Sequence, residues 1–146
     1  MEATILIADD DESVRRMIAR VLETAGYEAV QAANWFETVS RQTAVEPSLI
    51  LLDLELLSRE HAEILTAMNR RAGRTPVIGL AGWPDQRAEA LRRGVDVVME
   101  KPLDLGNLLE TVHELLARGQ PTETKPDPKP PFSPARRSPV AADAKP

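Results

Sequence analysis

Three short apolar runs, each closed by charged residues, constrain this chain more than any other feature. Leu49-Ile50-Leu51-Leu52 ends in Asp53, Ile5-Leu6-Ile7-Ala8 ends in Asp9-Asp10-Asp11, and Val95-Asp96-Val97-Val98-Met99-Glu100 ends in Lys101-Pro102. A short, nearly unbroken apolar run reads as a strand covered on both faces, as in a parallel sheet. Parallel strands point the same way, so these charged residues are expected to gather at one edge. In open α/β sheets that edge is where ligands and chemistry are found.

The segments between the runs have helical spacing. Asp11-Glu12-Ser13 supplies capping and early acidic residues for a helix with Val14, Met17, Ile18, Val21 and Leu22 on one face and Gly26 at its end. Tyr27 to Gln31 is less apolar and suits an edge strand. Asn34 is placed to cap a helix through Trp35, Phe36 and Val39 towards Val45, with Trp35 and Phe36 packing on the sheet. A helix from about Ser58 carries Ile64, Leu65 and Met68. Val77 to Ala81 follows as a strand, and a short helix with Ala88 and Leu91 ends at Gly94. The next strand is expected over Val95 to Met99. Asp104 opens a last helix with Leu105, Leu108, Leu109, Val112, Leu115 and Leu116 at helical positions. Five strands alternating with five helices imply right-handed crossovers and helices on both faces of a parallel sheet.

Charge narrows the function. Met1 to Arg118 carry 13 basic and 20 acidic side chains, a net of −7, while the remainder carries +2. An acidic folded part does not offer the basic face that nucleic acid requires. There is no cysteine, hence no disulfide or thiolate chemistry. The start lacks a basic n-region, and no apolar run approaches the roughly 20 residues needed to span a bilayer. A cytoplasmic protein without membrane association is expected. Eight of the twelve prolines lie between Pro121 and Pro146. Residues 120–146 therefore read as a disordered, Pro-rich tail following a domain at 1–119, since such a segment cannot bury enough apolar surface to offset its ordering entropy.

Clustered carboxylates repel one another unless a cation intervenes. Mg²⁺ takes a few carboxylates together with waters and a substrate phosphate. A carboxylate left over is a nucleophile towards phosphorus, and a facing lysine would neutralise the transferred oxygens. Asp10, Asp53 and Lys101 meet these needs from the ends of three strands.

On Ile5-Leu6-Ile7-Ala8-Asp9-Asp10, the strand ending at Asp53, and Val98-Met99-Glu100-Lys101-Pro102, the chain resembles the receiver domain of bacterial two-component response regulators, of the chemotaxis-regulator type. The resemblance covers about Met1 to Arg118. It implies a flavodoxin-like (βα)5 sheet of order 2-1-3-4-5. It also implies Asp53 as phosphoacceptor, a histidine kinase or phosphotransfer protein as donor, and Lys101 as the phosphoryl-binding cation. Mg²⁺ would be held by Asp10, Asp53 and the backbone carbonyl of Glu55, with Asp9 acting through water.

Four positions depart from that family. Ala81 stands where Thr or Ser is usual at the end of the fourth strand, and Val98 where Tyr or Phe is usual, so both members of the common switch pair are missing. Leu57 and His61 replace a proline and a glycine in the loop after Asp53.

The leading expectation is a stand-alone phosphorylation-controlled receiver, not a turnover enzyme, whose output passes through a protein partner. A degenerate receiver that binds partners without phosphorylation is the alternative, supported by Ala81 and Val98. Asp9-Asp10-Asp11-Glu12-Ser13 also offers the Asp-x-Asp-x-Ser pattern of haloacid-dehalogenase-type phosphatases, but the late acidic pair of that family is missing and Asp53 would have no role. His61 and His113 are expected at the surface. Trp83 is expected either beside the site or under the next loop, and Arg70-Arg71-Gly73-Arg74 as a solvated helix end.

Overall fold

The computed structural model describes residues 3–69 and 74–119. The reading of 120–146 as a separate tail, and Arg70, Arg71 and Gly73, lie outside the described residues. Five parallel strands, β1 (Thr4–Ala8), β2 (Glu28–Ala32), β3 (Leu49–Asp53), β4 (Val77–Ala81) and β5 (Val97–Glu100), form one sheet in the order β2-β1-β3-β4-β5. The helices are α1 (Glu12–Thr24), α2 (Trp35–Val45), α3 (Arg59–Asn69), α4 (Asp85–Arg92) and α5 (Leu105–Gly119), with a 3-10 turn at Leu54–Leu56. This is the flavodoxin-like order expected from the sequence, with β2 and β5 at the edges.

Alternation along the strands builds two apolar layers. Ile5, Ile7, Leu49, Leu51, Ile78 and Leu80 face α1 and α5, where Ile18, Leu22, Leu108 and Val112 are fully buried. Leu6, Ala8, Ile50, Leu52, Val77 and Ala81 face the other way, towards Leu65 of α3, Ala90 of α4 and Trp35 of α2. Burying a side chain such as Leu contributes about 1.5–3 kcal/mol, so covering both faces is what commits the central strands to the interior.

The predicted caps form. Asp11 Oδ1 accepts from the Ser13 and Val14 amides, and Asn34 Oδ1 accepts from Glu37 N at 2.8 Å while Glu37 Oε1 accepts in return from Ala33 N. These are the orphan donors that every helix start must satisfy. Gly26, at φ 99°, ends α1 in the left-handed region where glycine is favoured.

Several expectations on the helix faces need correction. Phe36 is 80% exposed and only Trp35 turns to the sheet. Adjacent helical residues point about 100° apart, and the inner face of α2 runs through Trp35 and buried Thr38. Met17 is exposed because the centre of the buried stripe on α1 falls on Ile18, Ala19 and Leu22. On α4 the buried residue is Ala90, with Ala88 and Leu91 outside. The side chains of Ile64 and Met68 are outside the described set.

The last strand starts two residues later than expected. Asp96 N donates to Val77 O, and the Asp96 carboxylate accepts from Val77 N at 2.8 Å, so residue 96 is pinned to the start of β4 by its side chain as well as its backbone, just ahead of the strand. Arg74, expected to be solvated, forms a two-pronged pair with Asp96 at 2.8 and 2.6 Å. That pair raises the Arg74 guanidinium above its ordinary value. No helix among the described residues is long and apolar enough to cross a membrane.

Candidate functional site

The register brings the charged strand ends together. Ala8 of β1 lies opposite Leu52, and Asp53 of β3 lies opposite Leu80 of β4. Asp9, Asp10 and Asp53 therefore leave adjoining strands at one edge, and each can present a carboxylate oxygen within 4.8 Å of the others. Lys101 follows β5, two strands away. Its backbone N–H donates to Ala81 O at 2.9 Å, which anchors it, and the Lys101-Pro102 peptide is cis. Its Nζ donates to Asp9 Oδ2 at 2.9 Å and lies 3.5 Å from Asp53 Oδ2.

The three acids are not equivalent. Asp9 is fully buried, Asp53 is 2% exposed and Asp10 lies at the open rim. Asp9 Oδ1 accepts from Asp11 N at 2.9 Å, so both its oxygens are engaged. Asp53 Oδ1 accepts from Glu55 N at 3.1 Å within the turn after β3. Burial pushes the Asp53 carboxyl from 3.8 up to about 6, with the Asp9 charge adding to the rise, against the Glu55 N–H and the Lys101 charge. For Lys101 burial works against the charge, but the Asp9 hydrogen bond and the charges of Asp53 and Asp9 outweigh it and leave its pKa raised. One ammonium against three carboxylates leaves net negative charge at the edge. The donors are hard oxygens, the set that suits a small divalent cation.

The turn holding Asp53 is built by packing. Leu54 drops onto β4, where a Cβ on Gly79 would lie 3.0 Å from Leu54 Cδ2, so glycine leaves that seat free. Leu57 N donates to Leu54 O at 3.2 Å, a bond that the proline usual at this position could not make. Glu55 extends towards β4, and its Oε2 would lie 2.8 Å from a Cβ on Gly82. Ala81 and Val98 are both buried in the apolar layer beneath this loop.

Sequence reasoning missed four participants. Arg15 Nη1 donates to Asp9 O at 2.8 Å and its Nε to Gln31 Oε1, tying α1 to the acid loop. His61 is not a free surface residue: its ring stacks on Trp35 at 5.0 Å between centroids, and Nδ1 lies 3.4 Å from Leu56 O. Gln86 Oε1 accepts from Gly82 N at 2.7 Å. Arg87 Nη1 donates to Val98 O at 3.1 Å. Only Gln86 had a local signal, a polar acceptor four residues beyond a strand-end glycine. Trp83 is 58% exposed on the loop after β4, which excludes packing beneath the next loop. His113 is exposed, as expected.

Comparison with known proteins agrees with this geometry. Residues 5–113 match the sequence family described as the response regulator receiver domain. The phosphate regulon transcriptional regulatory protein PhoB of Pseudomonas aeruginosa is 32% identical over 126 residues, covering 84% of this chain and 55% of that protein. The transcriptional regulatory protein PrrA of Mycobacterium tuberculosis is 30% identical over 122 residues, covering 82% of this chain and 52% of that protein. The chain thus spans about half the length of these curated relatives. Among solved structures, a CheY-like response regulator receiver domain protein from Methanospirillum hungatei superposes with a TM-score of 0.72 at 30% identity, over 82% of this chain and 97% of that one. The receiver domain of the Francisella response regulator 1452 shares the fold, with a TM-score of 0.72 at 23% identity over 82% of this chain and all of that one. With the acidic edge, the lysine and the strand order all in place, the chain belongs to the response regulator receiver domain family.

Proposed function

We propose that this domain accepts a phosphoryl group on Asp53 from a histidine kinase or a phosphotransfer protein and signals through contact with a downstream protein in the cytoplasm. The observation that carries the reading is the buried Asp53 carboxylate at the end of β3, with Lys101 Nζ 3.5 Å away and the acids of β1 beside it. With its pKa near 6 the carboxylate is ionised at neutral pH and able to attack phosphorus. An oxygen–phosphorus bond forms as the donor's nitrogen–phosphorus bond breaks, and the electron pair leaves on the donor nitrogen. Lys101 holds positive charge where the phosphoryl oxygens arrive, and Glu55 N fixes the other carboxylate oxygen.

Mg²⁺ fits the hard carboxylate donors at this edge: Asp10, Asp53 and the Glu55 carbonyl would hold it and Asp9 would act through water. Bound there, it would supply charge neutralisation for the carboxylates and the incoming phosphoryl oxygens. The domain turns over no substrate of its own. The acidic surface composition favours a protein rather than nucleic acid as the immediate partner of this domain. Ala81 and Val98, both buried and both departing from the family, support a second reading as a binding module that works without phosphorylation.

Mass spectrometry after incubation with Mg²⁺ and acetyl phosphate separates the two. Wild type should gain one phosphoryl group and Asp53→Asn none. Equal labelling of Asp53→Asn overturns the site assignment, and an unlabelled wild type leaves the phosphorylation-independent reading.

A further inference from the structure

The link from the Asp53 site to α4 passes through Gln86, and this rests on Asp53 being the phosphoacceptor. Since Asp53 lies opposite Leu80, the chain at Ala81 and Gly82 runs past the end of β3. Glu55, whose N–H holds Asp53, reaches the same place with its side chain: its Oε2 would lie 2.8 Å from a Cβ on Gly82. A phosphoryl group on Asp53 adds oxygens beyond the strand end, into the space between Lys101 and this contact. The adjoining strand meets them with a methyl group at Ala81 and then with the Gly82 N–H, beside which glycine places no side chain.

That N–H is already engaged. It donates to Gln86 Oε1 at 2.7 Å, and Trp83 N lies 3.5 Å from the same oxygen. A charged phosphoryl oxygen is a stronger acceptor than a neutral amide oxygen. We propose that Gln86 is a displaceable latch: phosphorylation takes over the Gly82 N–H, frees the Gln86 side chain and loosens the turn that leads into α4. Pro84, at the N-cap of α4, makes no side-chain capping bond. Arg87, bonded to Val98 O at 3.1 Å, keeps the body of the helix on β5. The change is therefore confined to residues 82–86, a short lever in a domain that lacks the hydroxyl and aromatic switch pair.

A purely structural cap and a latch predict opposite signs. If Gln86 only supports the loop, its loss disorders the Gly82 N–H and weakens binding of a phosphoryl mimic. If it competes, its loss strengthens binding. The full chain is titrated with beryllofluoride and Mg²⁺ as wild type, Gln86→Ala and Gln86→Glu, following the Gly82 amide by NMR. A neutral hydrogen bond converts to a roughly 2- to 10-fold change in affinity, so Gln86→Ala should bind about that much tighter. Gln86→Glu, a charged acceptor, should bind more weakly than wild type. The Gly82 amide of unliganded Gln86→Ala should also differ from that of unliganded wild type. Equal or weaker binding by Gln86→Ala overturns the latch. Acetyl phosphate labelling of Asp53 on the same samples separates the two failures. Labelled proteins with the wrong affinity order remove the latch alone, whereas failure of every sample to label removes the phosphoacceptor reading and the latch with it.

Discussion

Asp53→Asn should stabilise this domain, and by an amount that depends on pH. The native environment raises the Asp53 carboxyl from 3.8 to about 6, chiefly by burial. The folded chain thus holds this proton more tightly than the unfolded chain does. Below 3.8 both states are protonated and the group contributes nothing. Between 3.8 and about 6 the unfolded chain releases its proton first, and stability falls as pH rises. Above about 6 the full penalty applies, about 3 kcal/mol at about 1.4 kcal/mol per pH unit. Asparagine has nearly the same shape, carries no charge and can keep an oxygen facing Glu55 N, so it resembles the protonated carboxyl. Urea unfolding in EDTA should show the variant equal to wild type near the acid end and about 3 kcal/mol more stable at neutral pH. Added Mg²⁺ should narrow the gap by favouring the ionised wild type. A gap that stays constant across this pH range, or a variant less stable than wild type at neutral pH, would refute the view that Asp53 is held ionised against its surroundings.

Two further substitutions probe the same edge. Lys101→Met removes the cation 2.9 Å from Asp9 and 3.5 Å from Asp53 and leaves two buried carboxylates facing each other. It should cost roughly 2–4 kcal/mol at neutral pH, less than a fully buried pair because the lysine is partly exposed, with Mg²⁺ or mild acid recovering part of the loss in thermal melts; an unchanged melting temperature would count against the lysine as the balancing charge. Ala81→Thr places a hydroxyl at a position with no exposed surface, so it should cost about 1–3 kcal/mol by overpacking, yet it should spread the beryllofluoride-induced NMR shifts from Asp53, Gly82 and Lys101 across α4 and β5. A wild-type response that already covers that face would show that the missing hydroxyl is not what limits the switch.

The sequence alone determined the strands, the alternation and the charged edge. Runs such as Leu49 to Leu52 and Ile5 to Ala8 leave little choice but burial on both faces, and chain direction then sends Asp9, Asp10, Asp53 and Lys101 to one side. The caps at Asp11 and Asn34 were legible for the same reason, because capping is settled within four residues. Tertiary structure decided whatever depends on helix phase or distant partners. Trp35 rather than Phe36 meets the sheet, because a 100° step is smaller than the uncertainty of an apolar pattern until the opposing surface is known. Asp9 rather than Asp10 is the buried acid on the lysine, a contact across 92 positions in the chain. Arg74 finds Asp96 and His61 finds Trp35 only once packing has brought their elements together. A polar side chain can be satisfied by many partners, so its choice waits on geometry, whereas an apolar run has one favourable destination.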